Sequence, residues 1–342
     1  MKFSVIIPVY KAGHLVETLE SVTAAVDRLH GSVEVEVLCV DDEGPDGAGA
    51  VIDEYASKRP DVFKAIHQRN RGTPGARNHA LELAGGDWML FCDDDDLVRE
   101  TWLETVFRVV VDHPDADLVG FDMNPFTETP DWGNGDGAVD DVNIADRISN
   151  RLVGKTVWLF AFRRDRFGDL RFDENAAGCD DLVFVCEALV RSRKCMLVAR
   201  REYGYRGWAG QEMRADPSPR RLMALICGYE AMFRALSCSG KLIGGGFWYM
   251  RGNQWIETLP RLILMCLTKD EKWNQVWERW LRSMEFAAGL GLWSKWQRFV
   301  IKSIVRTRSK TVVKALCLLP ERLRRKNVLR PPCGENFAMP TF

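Results

Sequence analysis

Four consecutive aspartates, Asp93, Asp94, Asp95 and Asp96, follow the apolar run Trp88-Met89-Leu90-Phe91-Cys92. Adjacent carboxylates repel one another, so such a run persists only where it is solvated or where something cationic neutralises it. Carboxylate oxygens suit hard divalent cations such as Mg²⁺ and Mn²⁺. A cation held by one or two of them can also ligate a substrate diphosphate and offset the charge that develops as it leaves. The simpler alternative is an acidic turn that caps the next helix. A second acidic pair, Asp41-Asp42, closes another apolar run, and a third, Asp180-Asp181, opens an amphipathic stretch with Leu182, Val185, Cys186 and Leu189. The third pair has the form of a helix N-cap.

The first half of the chain must position these groups. Residues 3–9 form a continuous apolar run rich in Val and Ile, as in a strand covered on both faces. Further strands are expected over 33–40, 62–67, 88–92 and 117–121, and helices over 14–29, 48–57, 73–84 and 101–112. Thr73-Pro74 opens the third of these helices and Gly85 stops it. Strands alternating with helices predict an α/β fold with a mostly parallel sheet and helices on both faces. Ligands of such sheets bind beyond the carboxyl ends of the strands, so the acidic groups at 41–42 and 93–96 are expected to converge on one crevice. Residues 124–141, rich in Gly, Pro, Asn and Asp, read as a long loop.

From about Pro217 the strand pattern stops, and helices are expected over 222–236, 248–267, 272–288 and 293–305. The chain therefore divides into an α/β domain over 1–215 and a helical extension over 216–342.

Several motifs in fixed order resemble family 2 of the glycosyltransferases. Phe3-Ser4-Val5-Ile6-Ile7-Pro8-Val9-Tyr10 is similar to that family's opening strand, and Val40-Asp41-Asp42 with Gly44 and Asp46-Gly47 to its second motif. Asn70-Arg71-Gly72, Ala76-Arg77-Asn78, and Ala84-Gly85-Gly86-Asp87-Trp88 leading to the aspartates resemble its Asn-x-Gly, Ala-Arg-Asn and D-x-D stretches. The resemblance covers roughly residues 1–210 and fades beyond. It implies a GT-A fold (Rossmann-like nucleotide-sugar binding) and an inverting, metal-dependent hexosyl transfer. Pro8, Tyr10, Asp42, Arg77, Asp93, Asp94 and Arg206 would then face the donor, with Tyr10 against the nucleobase and Asp42 accepting a bond from it. Asp93 and Asp95 would hold Mn²⁺ or Mg²⁺. Gly178-Cys179-Asp180-Asp181-Leu182 resembles the segment that carries the general base, with Asp180 in place of the usual Glu, so Asp181 becomes the expected base beside Asp180. Tyr203-Gly204-Tyr205-Arg206 resembles the family's Tyr-x-Tyr-Arg, with Arg206 either on the diphosphate or an exposed surface group. Glu43, Pro45 and the stretch 207–214 depart from the family pattern.

Composition narrows the setting. With 342 residues, 46% hydrophobic and 28% charged, the chain can bury one large or two ordinary cores. The net charge of −1 hides an asymmetry: residues 291–330 carry twelve Lys and Arg against one acid, Glu321. Trp293, Trp296, Phe299 and Val300 beside Lys295, Arg298 and Lys302 suit an amphipathic helix on an anionic membrane. No apolar run is long enough to span a bilayer, and no nucleic-acid module is recognised. The ten cysteines lack C-x-x-C spacing and read as buried reduced thiols of a cytoplasmic protein, peripheral at the inner face of the plasma membrane. The five histidines have no ligand spacing. The expected partners are a UDP-sugar and a glycan or lipid-linked acceptor in cell-surface polysaccharide synthesis. The alternatives are a sugar-phosphate nucleotidyltransferase, for which the loop after residue 10 has too few glycines, and a non-catalytic glycan-binding protein.

Overall fold

The computed structural model describes residues 1–207 except 30, 32, 136, 142–155 and 175–179, then 271–289, and isolated positions among 219–230 and 302–306. The expected boundary at 215/216, the stretch 208–214 and the expected helices over 248–267 and 293–305 lie outside the described residues, as does most of 222–236.

Strands β1 (Lys2–Val9), β2 (Glu34–Asp41), β3 (Phe63–His67) and β4 (Trp88–Phe91) alternate with helices α1 (Leu15–Arg28), α2 (Ala48–Lys58) and α3 (Gly72–Leu83). After β4 come β5 (Leu97–Val98), α4 (Trp102–Asp112), β6 (Leu118–Phe126) and β7 (Val139–Asp141). Then follow a 3₁₀ turn (Val157–Leu159), β8 (Phe160–Arg163), the single turn α5 (Arg164–Phe167), α6 (Asp180–Arg191) and β9 (Cys195–Arg206). The nine strands form one sheet in the order β3-β2-β1-β4-β8-β6-β9-β5, with β7 also on β9. β3, β2, β1 and β4 are mutually parallel, each residue of β1 from Phe3 to Ile6 pairing on both sides. That accounts for the uninterrupted burial of residues 3–9.

The second half of the sheet is mixed. β8 runs antiparallel between β4 and β6, and β6 and β9 are parallel. The stretch expected as a loop over 124–141 loses both its ends to strands: Asn124, Pro125 and Phe126 pair with β9, and β7 pairs with β9 from the far side. Pairing satisfies backbone groups that the turn-rich sequence does not itself commit to a strand.

An aromatic cluster joins the two halves. Phe91 at the end of β4 meets Phe162, Phe172 and Phe184 edge-on, with ring centroids 5.8, 5.5 and 5.9 Å away. Phe172 and Phe184 stack at 4.3 Å. Such pairs contribute about 0.5–1.5 kcal/mol each beyond the area they bury. Since Phe184 lies one turn into α6, the cluster fixes the N-terminal part of α6 beside the end of β4. Cys39, Cys92, Cys186 and Cys195 are buried and lie outside any disulfide, and burial pushes Cys39 up to about 12.

The chain divides into two compact units; the first holds β1 to β9 and the second holds α7 (Glu271–Gly289). On α7, Val276, Trp277, Trp280 and Leu281 are buried, with the Trp277 and Trp280 rings 5.2 Å apart. The side chains of Trp273 and Met284 lie outside the described residues. Among the described residues, no helix is long and apolar enough to cross a membrane.

Candidate active site

The acidic turn beyond β4 is held by groups that treat its four carboxylates differently. Asp96 is fully buried; Oδ2 accepts from the Tyr203 hydroxyl at 2.9 Å and Oδ1 from the Arg206 N–H at 2.7 Å. The Thr18 hydroxyl on α1 donates to its carbonyl at 2.8 Å. Burial first, then the nearby Asp93 and Asp95 charges, raise the Asp96 carboxyl well above the usual range. Asp94 Oδ2 accepts from the Tyr10 and Lys11 N–H groups at 2.8 and 3.1 Å, tying the end of β1 to the turn. Its carboxyl rises to about 7, because burial and the neighbouring carboxylates outweigh those two bonds. Asp93 and Asp95 are half-buried at the crevice.

Arg206 is 5% exposed, so the surface alternative for it does not hold. Its Nε donates to the Asp95 carbonyl at 2.8 Å, its Nη2 to Glu17 at 2.6 Å, and its guanidinium lies 4.8 Å from the centre of the Phe126 ring. These contacts brace the acidic turn from behind.

Arg77 on α3 is 3% exposed and meets three carboxylates. Nη2 donates to Asp93 Oδ1 at 2.7 Å; Nη1 donates to Asp180 Oδ2 at 3.1 Å and to Asp181 Oδ1. Burial alone would lower the Arg77 pKa, but the three carboxylates together raise it. Asp181 also accepts from the Val157 N–H at 3.3 Å. Burial pushes the Asp181 carboxyl up to about 7; Arg77 pulls it down, while Asp180 and Asp93 push it up. A carboxylate balanced near neutrality is suited to accept a proton from a hydroxyl. Arg77, expected on the donor, thus has both its Nη nitrogens on carboxylates.

At the other end of the crevice Asp42 is buried, and its Oδ1 accepts from Gln68 Nε2 at 2.7 Å and from the Arg71 N–H at 2.8 Å. Pro8 is buried in β1 opposite Val40, whereas Tyr10, just past the strand, is 43% exposed and offers an open ring face. Arg71 reaches Glu174 through Nε and Nη2, and Asn78 clamps the same segment by bonds to Phe172 and Glu174. Gly44 lies against the Tyr10 carbonyl, so closely that a Cβ would fall 2.3 Å from it.

The donor set fits a hard cation. It is all oxygen, and Asp93 to Asp96 with Asp180 and Asp181 outnumber Arg77 and Arg206. Among the described residues no group of three or more ligating side chains gathers, so a cation held by carboxylates of this turn would need further oxygen ligands from a substrate or water.

The family model described as glycosyl transferase family 2 matches residues 4–171. Residues 4–171, just under half of the chain, are thus a family 2 glycosyltransferase domain. The matched span takes in the acidic turn, Asp42 and Arg77, and stops before Asp180. GgaB, a minor teichoic acid biosynthesis protein of Bacillus subtilis, is 28% identical over 208 residues, 60% of this chain and 23% of that protein. Glycosyltransferase GlyG of Streptococcus pneumoniae is 27% identical over 233 residues, 62% of this chain and 73% of that protein. The chain thus spans under a quarter of GgaB. The crystal structure of Staphylococcus aureus TarS 1–349 in complex with UDP-GlcNAc superposes with a TM-score of 0.73 at 18% identity, covering 95% of this chain and 92% of that one. At that identity the likeness is one of fold, the GT-A architecture.

The structure brings Asp93, Arg77, Asp180 and Asp181 into direct contact and places Tyr10 and Asp42 at the β1–β2 end of the same sheet edge. Sequence reasoning misses Trp158, whose ring stacks on Tyr203 at 4.3 Å and on Tyr205 at 5.6 Å, as well as Glu17, Thr18, Gln68, Phe172 and Glu174. None of these carries a local signal; each reaches the site only through a neighbour distant in sequence.

Proposed function

We propose that this chain transfers a sugar from a nucleotide sugar, with a UDP-sugar as the expected donor, to a hydroxyl of a glycan or lipid-linked acceptor in cell-surface polysaccharide synthesis. The carrying observation is the meeting of the D-x-D turn and the Asp180-Asp181 pair on one buried arginine at the carboxyl edge of the parallel strands. The nucleobase lies against Tyr10, with Asp42 accepting a bond from it. Mn²⁺ or Mg²⁺ held by Asp93 and Asp95, when bound, offsets the charge on the departing diphosphate. Asp181 takes the proton of the attacking acceptor hydroxyl, and attack from the face opposite the leaving group inverts the anomeric centre. The name of GgaB and the ligand of TarS support a surface polymer and a UDP-sugar. The basic stretch 291–330 supports a position at the inner face of the plasma membrane, against anionic lipid.

The test is UDP release from a panel of UDP-, GDP- and CDP-sugars with Mn²⁺, with and without EDTA, for the native chain and Asp95→Ala. Metal-dependent release from one donor, lost in the variant, is the expected result. Release of pyrophosphate from UTP and a sugar phosphate would replace this reading with nucleotidyl transfer, and binding without turnover of any donor or acceptor would replace it with a binding protein.

A further inference from the structure

We propose that Arg77 is a positioning residue that holds the Asp181 carboxylate in register with the D-x-D turn, and that it does not contact the donor. This rests on the transferase reading above.

The geometry is specific. Arg77 uses different nitrogens for the two sides of the crevice: Nη2 for Asp93, and Nη1 for Asp180 and Asp181. A planar two-pronged cation can fix the separation of two carboxylates, whereas a point charge cannot. Its orientation is set independently. The guanidinium carbon lies 5.2 Å from the centre of the Phe172 ring, and Phe172 stacks on Phe184, one turn along α6 from Asp180. The ring that supports Arg77 therefore also packs on the helix that carries the two aspartates. On its other side α3 is seated against β1, with Ala76 and Ala80 fully buried. The Nε of Arg77 is buried without a hydrogen-bond partner, so the group is aligned through its outer nitrogens alone. With the side chain 3% exposed and both outer nitrogens committed, little of it is presented to a ligand in the crevice.

The consequence is mechanical. Proton removal needs Asp181 at hydrogen-bond distance from an acceptor hydroxyl whose place is defined by the donor, and the donor diphosphate is placed by Asp93 and Asp95. A link from Asp93 to Asp181 through one rigid group makes both distances covary. Small displacements of such a base are costly, a misplacement of about 1 Å being able to cost about 10²-fold in rate.

Charged groups facing Asp181 come from three elements: Arg77 from α3, Asp180 from α6 and Asp93 from the turn after β4, with the Val157 N–H added from the 3₁₀ turn. Two substitutions move this balance in opposite directions. Arg77→Lys keeps a cation but withdraws the fork, so its single ammonium cannot serve both sides. Asp180→Asn keeps side-chain volume and removes a like charge.

The experiment is steady-state transfer with a nucleotide-sugar donor and acceptor across pH, for native, Arg77→Lys, Asp180→Asn and Asp181→Asn chains, with thermal unfolding of each. For Arg77→Lys the expected result is a kcat lower by about tenfold or more with donor KM within about twofold of native, and an acidic limb moved to higher pH. For Asp180→Asn the acidic limb moves to lower pH. A raised donor KM at unchanged kcat in Arg77→Lys would assign Arg77 to the donor and overturn the proposal, as would an unmoved pH profile in both variants. Should Arg77→Lys not fold, Phe172→Leu, which removes the ring beside the guanidinium, decides: kcat is expected to fall with donor KM unchanged, and a raised donor KM or an unchanged kcat overturns the proposal. Full activity of Asp181→Asn would instead sink the base assignment itself, a failure distinguishable from that of Arg77.

Discussion

The Tyr203 hydroxyl donates to the buried Asp96 carboxylate at 2.9 Å and at the same time accepts from the Asp93 N–H at 3.0 Å, so one oxygen closes the acidic turn at both ends. Tyr203 is fully buried, and its ring is already fixed by the Trp158 stack. Tyr203→Phe keeps that stack and removes only the oxygen. Two buried polar groups then lose a partner, which costs about 1–3 kcal/mol. The expected outcome is a fall of that size in unfolding free energy by denaturant titration, together with weaker Mn²⁺-dependent binding of UDP, because Asp93 is no longer held. Unchanged UDP binding in a destabilised variant would show that the turn keeps its shape without this bond.

The Asp181 carboxyl, raised to about 7, sets a pH dependence whose sign follows from its role. A base works deprotonated, so kcat/KM is expected to rise with pH through about 7 and to level off above. Asp181→Asn keeps the size and hydrogen-bonding reach of the side chain but not its basicity, and a loss of about 10²–10⁴-fold in kcat is expected. Initial rates across the range check both. A limb that persists in Asp181→Asn would assign it to another group.

What could be read in advance follows from physical locality. Buried parallel strands are continuous apolar runs, so β1, β2 and β4 are legible, and the acidic groups at the carboxyl ends of β2 and β4 with them. β9 is not legible because Arg200, Arg201 and Glu202 interrupt it; Glu202 is nonetheless fully buried, satisfied by the Thr101 and Thr105 hydroxyls of a distant helix and by Arg200. The site divides in the same way. Asp93, Asp95 and Asp181 announce themselves by carboxylate chemistry and motif. The partners of Arg77 lie 16, 103 and 104 positions away, and no periodicity or spacing could assign its guanidinium to them rather than to a donor.

Asp42 offers a test of the nucleobase end. Its two recorded bonds, from Gln68 and the Arg71 N–H, both fall on Oδ1, and the second joins it to the residue that reaches Glu174. Asp42→Ala withdraws the acceptor expected for the base and leaves the Arg71 N–H without its partner. The donor KM is expected to rise by about tenfold or more, one hydrogen bond to a charged group being worth about 1.5–3 kcal/mol, with kcat at saturating donor little changed. Isothermal titration with UDP separates this from a folding defect, since the variant should still bind Mn²⁺ at the acidic turn. A lower kcat at unchanged KM would place Asp42 outside the donor site.

The turn after β2 and the end of β1 are pressed together at Gly44, and both are tied down. The Gly44 N–H donates to Asp41 Oδ1 at 3.0 Å, while the Tyr10 N–H is held by Asp94 at 2.8 Å. A Cβ at Gly44 would fall 2.3 Å from the Tyr10 carbonyl oxygen, so one of the two anchors must give. Overpacking of this kind costs about 1–3 kcal/mol, equivalent to about 5- to 150-fold if it is expressed wholly in donor affinity. Gly44→Ala is therefore expected to raise the donor KM within that range by displacing Tyr10 from the nucleobase, while the acidic turn and Asp181 keep kcat near native. Gly13 supplies the control: it follows the same strand three residues after Tyr10, and a Cβ there meets nothing within 4 Å. Gly13→Ala should leave the donor KM unchanged. Equal effects from the two substitutions would mean that general loosening of the loop, rather than the position of Tyr10, governs donor binding.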